Sequence, residues 1–360
     1  MVRLISLFSL LMMAVGGCSY SEESIAMPKD FKPLYAKPIE YTIQADKTTI
    51  TVGMIGDVLL HNPLFTYDSY GVAFERVKEK LTEIDFLLAN QESLPGGKEL
   101  GLSGYPRFNS PKHIIRDLKA SGVDMISLAN NHILDQGEKG LTNALQHMNE
   151  YNMPYVGAYA TEEDRAQQRI VEVSGIRIGV LSYTYGLNGM AIPDGKEYLV
   201  SLINKNNIMT DIDNMEGKVD IIAVSIHWGD EYALIPTDFQ KELAKELSNA
   251  GADIIFGHHP HVLQKHEQIG HTSVFYSLGN FYSAQQFDST NIGGIAKVEI
   301  HRTEYAGKCF IEVGTSTFYP TAVVRDKSHR YSVVPLREAG KRAIYNESWV
   351  ERHVGLKAEK

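Results

Sequence analysis

The sequence predicts an α/β fold, in which helices cover the faces of a sheet of buried strands. Two observations predict it. From residue 50 onward, short apolar runs alternate with amphipathic segments, and the apolar runs end abruptly in polar residues. The composition, with 43% hydrophobic and 22% charged residues, is that of a globular chain rather than a disordered or polytopic membrane protein. The 360 residues suffice for one large domain or two smaller ones.

Six apolar runs have the length of buried strands and are bounded by turn residues. They cover residues 51–56, 85–89, 125–129, 219–226, 253–257 and 273–277. Amphipathic patterns predict helices over 72–81, 111–120, 138–151 and 238–250. In the last of these, Phe239, Leu243, Ala244 and Leu247 are predicted to share the buried face.

Four later runs, at 294–300, 309–313, 318–324 and 331–334, lack long helices between them. They are typical of antiparallel strands joined by turns, and they predict a second sheet packed on the first. Cys309 lies in this region and is predicted to be a small buried hydrophobic residue.

The amino terminus predicts a secreted, lipid-anchored protein. Arg3 precedes about a dozen apolar residues that end in Gly16-Gly17-Cys18, which resembles a bacterial lipobox with Cys18 as the lipidated residue. We therefore expect a signal peptide over 1–17 and an extended tether over 18–48. An ordinary cleaved signal with an incidental cysteine is the alternative. The expected location is extracytoplasmic, as a lipoprotein of a bacterial cell membrane.

The negative net charge argues against nucleic acid as a partner and against electrostatic binding to an anionic membrane. The chain carries 35 basic and 44 acidic side chains, a net charge of −9, so nucleic acid is not expected as a partner. Loss of residues 1–17 removes one basic side chain and leaves a net charge of −10. Such a chain gains nothing from anionic headgroups, so acyl chains would have to hold it at the membrane.

Polar residues follow each of the six predicted strands. In open α/β sheets, ligands bind beyond the carboxyl ends of the strands, so these residues are expected to meet at one edge. The set comprises Asp57, Glu92, Asn131, His132, His227, His259 and His261. Carboxylate oxygen and imidazole nitrogen in similar numbers suit one or two divalent ions such as Mn²⁺, Zn²⁺ or Fe²⁺. The asparagine and histidine side chains would serve as ligands, proton donors or stabilisers of negative charge.

Several of these residues have a structural interpretation as well. Asn130 could be a turn residue, Asp135 could cap the helix that follows, and His227 could be a core histidine. His258 precedes the His259–His261 pair and is not needed for it. Its position is equally consistent with a structural role or with a role in supporting the metal ligands.

The residues that carry this chemistry lie in six ordered motifs. They read GDVLL at 56–60, NQE at 90–92, SLANNH at 127–132, HWGDEY at 227–232, GHHPHVLQ at 257–264 and YSLGNF at 276–281. These motifs resemble those of the CapA family of capsule, or poly-γ-glutamate, biosynthesis proteins. The resemblance covers about residues 50–335. That family is similar to the calcineurin-like metallophosphoesterases, which implies a four-layer α/β/β/α sandwich with a two-metal site at the strand ends. The implied domain spans 49–335, followed by a C-terminal tail at 336–360.

The resemblance also implies residue roles. Metal ligands would be Asp57, Glu92, Asn131, His227, His259 and His261; His132 and Asn131 would be catalytic; and Asn130, Trp228, Glu231 and Asn280 would bind substrate. Two positions depart from the metallophosphoesterase pattern. Leu59 stands where a histidine is usual, and Glu92 stands in place of the bridging aspartate.

The resulting functional hypothesis is a lipid-anchored protein of capsule or poly-γ-glutamate synthesis or export, with a metal-assisted hydrolase or transferase step. Its expected partners are an anionic polymer or its precursor, the membrane, and membrane subunits of the synthesis and export machinery. Two alternatives remain open: a secreted metallophosphoesterase acting on small phosphate esters, and a non-catalytic polymer-binding subunit of an export complex.

Overall fold

The computed structural model describes residues 45–359. The predicted signal peptide, Cys18 and the tether up to residue 44 lie outside the described residues. The predicted tether boundary at residue 48 differs from the structure, in which the first strand already begins at Asp46. Among residues 45–359, none of the helices combines the length and the hydropathy of a membrane-spanning segment.

The chain forms fourteen strands within residues 45–359. They are β1 (Asp46–Leu59), β2 (Phe86–Gln91), β3 (Met125–Ser127), β4 (Tyr155–Val156), β5 (Ile170–Val173), β6 (Ile176–Thr184), β7 (Ile221–His227), β8 (Ile254–His258), β9 (His266–Ile269), β10 (Thr272–Phe275), β11 (Asn280–Ser283), β12 (Ile292–Tyr305), β13 (Lys308–Arg325) and β14 (Tyr331–Pro335).

Nine α-helices lie between or after these strands in the same residues. They are α1 (Gly71–Phe74), α2 (Lys78–Thr82), α3 (His113–Ala120), α4 (Gly137–Glu150), α5 (Glu162–Ala166), α6 (Lys205–Asp213), α7 (Asp238–Ala250), α8 (Leu336–Ala339) and α9 (Glu347–Val354). Helix α7 has the bounds that the sequence predicts, and a capping box between Thr237 and Gln240 begins it.

The strands form two mixed sheets. The first has the order β14-β13-β12-β1-β2-β3-β4, with β11 paired to β1, and the second has the order β5-β6-β7-β8-β10-β9. The strands that end in the polar motifs are parallel within each sheet: β1 with β2 and β3, and β7 with β8 and β10. Their carboxyl ends therefore lie at one edge of each sheet.

Three hydrophobic cores define four layers. Along β7, Ile221 and Ala223 face the core shared with the first sheet, whereas Val224 and Ile226 face the core under α6 and α7. A third core joins the other face of the first sheet to α1–α4. Both faces of each sheet are covered, which explains the continuous apolar runs of the central strands. The predicted α/β/β/α sandwich is confirmed.

The later strands correct one part of the prediction. The runs at 309–313 and 318–324 form the single strand β13, and β12–β14 extend the first sheet instead of forming a second one. The second sheet contains β5, β6 and β9, which the pattern of apolar runs misses. The predicted helix over 72–81 is divided into the short helices α1 and α2.

Two burial predictions are wrong. Phe239 is 45% exposed, although it lies on the same side of α7 as Leu243; it stands in the first turn of the helix, and burial begins with Gln240 and Leu243. Cys309 is exposed, because it lies near the hairpin end of β12 and β13, beyond the region where the second sheet covers the first.

The folded part continues past residue 335. Leu336 and Ala339 of α8 and Val350 and Val354 of α9 are buried in the core between the two sheets. The segment predicted as a C-terminal tail over 336–360 thus contributes core residues through its described part.

Candidate metal site

The site begins where β1 ends. The register of β1 against β2 and β11 shifts at Asp57, so the strand bulges there and Asp57 pairs with both Asn90 and Asn280. Gly56 permits this geometry, because a Cβ at that position would lie 2.3 Å from the Gly279 carbonyl oxygen. Close backbone approach therefore fixes where the Asp57 carboxylate lies.

The Asp57 carboxylate is fully buried and held from three directions. His258 Nδ1 donates to Oδ1 at 2.8 Å, Asn90 Nδ2 donates to the same oxygen at 2.8 Å, and His261 Nδ1 lies 3.1 Å from Oδ2. Burial alone would raise the pKa of Asp57. The hydrogen bonds from His258 and His261 outweigh burial and hold that pKa well below its ordinary value. Asp57 is consequently an anion over the whole physiological pH range.

Glu92 differs from Asp57 in having unsatisfied oxygens. Its carboxylate is fully buried, and neither oxygen has a hydrogen-bond partner among the described residues. Burial raises the pKa of Glu92 to about 7. The nearest groups are His227 Nε2 and His261 Nε2, at 3.4 and 3.6 Å from Oε1. A buried carboxylate without hydrogen bonds costs free energy, so a metal cation between these groups would stabilise it. Burial would lower the pKa of His261, but the Glu92 and Asp57 carboxylates raise it to about 9, so the His261 ring supplies part of that positive charge in the metal-free protein.

Two groups of ligand atoms meet at Glu92. The side chains of Glu92, His259 and His261 form one group, and those of Asp57, Glu92 and His227 form the other. Within each group the ligand atoms lie within 4.8 Å of one another, and all five residues are buried. Burial holds the pKa of His227 well below its ordinary value and lowers that of His259 to about 2, so both rings are neutral. Neutral imidazole is the form that binds a metal.

The histidine motif after β8 adopts a strained backbone. His259 and His261 have φ values of +94° and +58°, in the left-handed region that side-chain-bearing residues rarely occupy. Such conformations persist where the surroundings impose them, and they cluster at functional sites. Here they turn both rings toward Glu92, while His258, one residue earlier, remains in β8 and contacts Asp57.

Asn131 and His132 come from the segment between β3 and α4. Asn131 Oδ1 lies 3.0 Å from His227 Nε2, so it faces the ligand groups. His132 Nδ1 donates to Asp135 Oδ2 at 2.7 Å, which leaves Nε2 as the ring atom that can exchange a proton with a ligand. Asp135 also accepts from the Phe108 backbone amide at 2.6 Å. Asp135 therefore orients His132, and the residue at the N-cap of α4 is Gln136.

The predicted substrate-binding residues occupy different environments. Glu231 is exposed and lines a cleft. Asn130 and Asn280 are buried and hold protein groups: Asn130 accepts from the His132 amide, and Asn280 Oδ1 lies 3.1 Å from His261 Nδ1. Trp228 requires a correction, because it is fully buried and donates to the Tyr276 carbonyl oxygen at 3.0 Å. Its indole is part of the core beside α7 and is not available to a ligand.

The cleft beside the site has a volume of about 380 Å³. Its walls include His132, Asp135 and Glu231, together with Arg107 and Asn188. The cleft thus presents a proton-exchanging group, a cation and an amide to a ligand that approaches the metal site.

Several site residues were not predicted in these roles. Asn90 holds Asp57. Asn188 Oδ1 accepts from Asn131 Nδ2 at 3.2 Å, and the Asn188 amide nitrogen lies 3.3 Å from His132 Nδ1. Tyr185 is 45% exposed, and its ring centroid lies 4.5 Å from that of His259. Asn90 directly follows a predicted strand, so its position in the sequence could have identified it as a site residue. Asn188 and Tyr185 follow β6, which the sequence reasoning missed, and this omission removed them from consideration.

Comparisons with known proteins place these residues in context. The family model of the bacterial capsule synthesis protein PGA_cap matches residues 51–285. Capsule biosynthesis protein CapA of Bacillus anthracis is 30% identical over 266 residues, covering 70% of this chain and 64% of the relative. PGA biosynthesis protein CapA of Bacillus subtilis (strain 168) is 33% identical over 201 residues, covering 53% and 50%. The chain thus spans between half and two thirds of the length of these relatives.

Among solved structures, NAD nucleotidase of Haemophilus influenzae has 10% sequence identity and a TM-score of 0.43, covering 87% of this chain and 58% of that one. The family match extends over more than half of the chain and includes every residue of the two ligand groups, from Asp57 to His261. The resemblance to CapA is therefore confirmed, and the chain belongs to the PGA_cap family of bacterial capsule synthesis proteins.

Proposed function

We propose that this chain is a lipid-anchored, extracytoplasmic protein that acts in the synthesis or export of an anionic capsular polymer of the poly-γ-glutamate type. We further propose that it performs a metal-assisted hydrolase or transferase step on that polymer. The observation that carries the proposal is the buried Glu92 carboxylate, which has two unpartnered oxygens and lies among His227, His259, His261 and Asp57. The names of the Bacillus relatives support the polymer class.

The residues present fit a divalent cation. Glu92 belongs to both ligand groups, the two neutral histidines His227 and His259 supply nitrogen, and Asp57 supplies a permanent negative charge. Mixed oxygen and nitrogen ligands suit Mn²⁺, Zn²⁺ or Fe²⁺. A divalent ion held here would polarise a carbonyl or phosphoryl oxygen and lower the pKa of a bound water.

The protein residues around that position have separate tasks. Asp135 fixes the tautomer of His132, so that Nε2 can accept a proton and, once the ring is protonated, give that proton to a leaving nitrogen or oxygen. Asn131 presents its amide group beside His227. Arg107, on the wall of the cleft, can bind a carboxylate of the substrate.

Lipid anchoring rests on the Gly16-Gly17-Cys18 sequence and on the charge of the chain. An acidic protein is repelled by anionic headgroups, so a covalent lipid is the means of attachment that its charge permits. Labelling cells with a radioactive fatty acid tests this. The Cys18→Ala variant should lose the label and should no longer be found in the membrane fraction. The Cys309→Ala variant should keep the label and remain in the membrane fraction. Equal labelling of both variants would contradict lipid attachment at Cys18.

Metal binding is tested by elemental analysis of the full chain after dialysis against Mn²⁺, Zn²⁺ or Fe²⁺ and gel filtration. We expect one or two ions in the wild type and a large loss in Glu92→Gln. The matched control is Glu242→Gln, an exposed residue on α7 that should leave the metal content unchanged. A metal-free wild type that still binds polymer would instead favour the non-catalytic subunit.

The chemical step is tested with poly-γ-glutamate of defined length, followed by size-exclusion chromatography. We expect a metal-dependent change in chain length that Glu92→Gln abolishes. Turnover of generic phosphate esters without any effect on the polymer would refute this step and favour the secreted metallophosphoesterase.

A further inference from the structure

A cationic groove lies beside the candidate metal site. It is a cavity of about 610 Å³, and its lining includes Gln285, Asp288, Arg325, Lys341 and Arg342. Three basic residues and one acidic residue give it a net positive charge. In a chain with a net charge of −9, this groove is a local exception to the overall charge.

The cations of the groove are not neutralised by the fold. Among residues 45–359, no carboxylate lies within ion-pair distance of Arg325, Lys341 or Arg342, although Arg337 nearby pairs with Glu347. The Arg325 guanidinium packs over the Tyr331 ring, 5.6 Å from its centroid. This contact does not neutralise the charge of Arg325, which can still attract an anionic ligand. Arg342 donates to two backbone carbonyl oxygens of the α8 segment, so it is partly used for structure.

The groove and the metal site share a wall. Gln285 Oε1, on the groove side, accepts from Asn280 Nδ2 at 2.8 Å. Asn280 Oδ1 in turn lies 3.1 Å from His261 Nδ1 in the metal site. Above this wall, Phe287 packs against Tyr232 with ring centroids 5.0 Å apart, and Tyr232 lies beside His261. Contacts through Asn280 and Tyr232 thus connect the metal site to Gln285, a residue of the groove lining.

We propose that this groove binds the stretch of anionic polymer that flanks the unit held at the metal site; this inference rests on the proposed function. A linear polycarboxylate presents a charge on every unit, so it can contact Arg325 and Lys341 at the same time as the metal site. Each exposed contact is weak, but linked contacts add because the second is intramolecular. A membrane surface fits the groove less well, since a planar array of headgroups does not enter a concave cavity.

The test compares two charge-matched double variants of the full chain. Arg325→Gln/Lys341→Gln removes two groove cations and retains Arg342 for its backbone contacts. Lys245→Gln/Lys308→Gln removes two exposed cations from α7 and from the β12–β13 hairpin. Binding of fluorescent poly-γ-glutamate, as a short oligomer and as a long polymer, is measured by anisotropy. Thermal unfolding verifies that both variants fold.

We expect the groove variant to bind the long polymer about 3- to 10-fold more weakly than the control variant, with equal binding of the short oligomer. High salt should remove the difference, because it screens exposed charges. Equal affinity of the two variants for the long polymer would overturn the groove assignment but leave the proposed function intact.

Two further outcomes would contradict the proposed function or the polymer as the ligand of the groove. If the wild type binds neither length of polymer, the proposed function itself fails. If the groove variant loses binding to vesicles of anionic lipid while it keeps its affinity for the polymer, the groove is a membrane contact and the polymer assignment is wrong.

Discussion

Replacing Glu92 by glutamine should stabilise the metal-free protein while it abolishes metal binding. The carboxylate is fully buried, and its oxygens have no hydrogen-bond partner among the described residues. Burial raises its pKa from an ordinary value near 4.5 to about 7. Glutamine has nearly the same shape and carries no charge, so the substitution removes the cost of the buried anion.

The sign and size of the effect follow from proton linkage. Between pH 4.5 and 7 the folded protein holds the Glu92 proton more tightly than the unfolded chain does, so stability falls as the pH rises through this window. The cost grows by about 2–3 kcal/mol between pH 5 and pH 8. The free energy of unfolding of the Glu92→Gln variant, relative to that of the wild type, should therefore rise by this amount between pH 5 and pH 8.

Urea unfolding with a metal chelator, at pH 5 and at pH 8, measures this difference. Glu242→Gln serves as the control and should follow the wild type at both pH values. Added Mn²⁺ at a concentration of about 100 times Kd should stabilise the wild type by about 2.7 kcal/mol and leave Glu92→Gln unchanged. A Glu92→Gln variant that is less stable than wild type at pH 8 without metal, or a stability difference that does not depend on pH, would show that the Glu92 carboxylate does not destabilise the metal-free fold.

Three further predictions concern the surroundings of the ligands. His258→Leu removes a hydrogen bond to a ligand carboxylate and should weaken Mn²⁺ binding by roughly 10- to 100-fold in calorimetric titration; unchanged affinity would show that His258 has no positioning role. Gly257→Ala places a Cβ 2.1 Å from a carbonyl oxygen of the adjacent chain segment and should lower the free energy of unfolding by at least about 2 kcal/mol, whereas Gly186→Ala, which has open space, should not. Asp135→Asn should reduce turnover by roughly 10- to 100-fold through loss of His132 orientation, with an unchanged metal content; a loss of metal instead would identify a structural role.

Much of the fold was predictable because it depends on local pattern. The mostly apolar run at 221–227 is typical of a strand covered on both faces, and every residue of β7 is buried. Helix α7 carries its capping box within four adjacent residues. The division of strands between two sheets was not predictable from these runs. It depends on the pairing of β1 with β12, whose residues are more than 230 positions apart in the chain.

Local sequence pattern identified the candidate metal ligands. Asp57, Glu92, His227, His259 and His261 lie at or just beyond the carboxyl ends of buried strands, and parallel strands bring these ends together. How each of these residues is used depends on contacts between distant parts of the fold. His258 contacts Asp57 while His259 and His261 face Glu92, because the backbone turns into the left-handed region after β8.

The same distinction explains the errors and the omissions. The Trp228 indole is buried under α7 and the Cys309 thiol is exposed at a hairpin, because burial depends on which distant element lies over a strand. Asp135 accepts a hydrogen bond from His132 instead of capping α4. The backbone amide of Phe108, from a distant segment, donates to the same carboxylate and helps to hold it there. Residue type and local spacing therefore set the chemistry available to this protein, and contacts between distant segments set the geometry in which it can act.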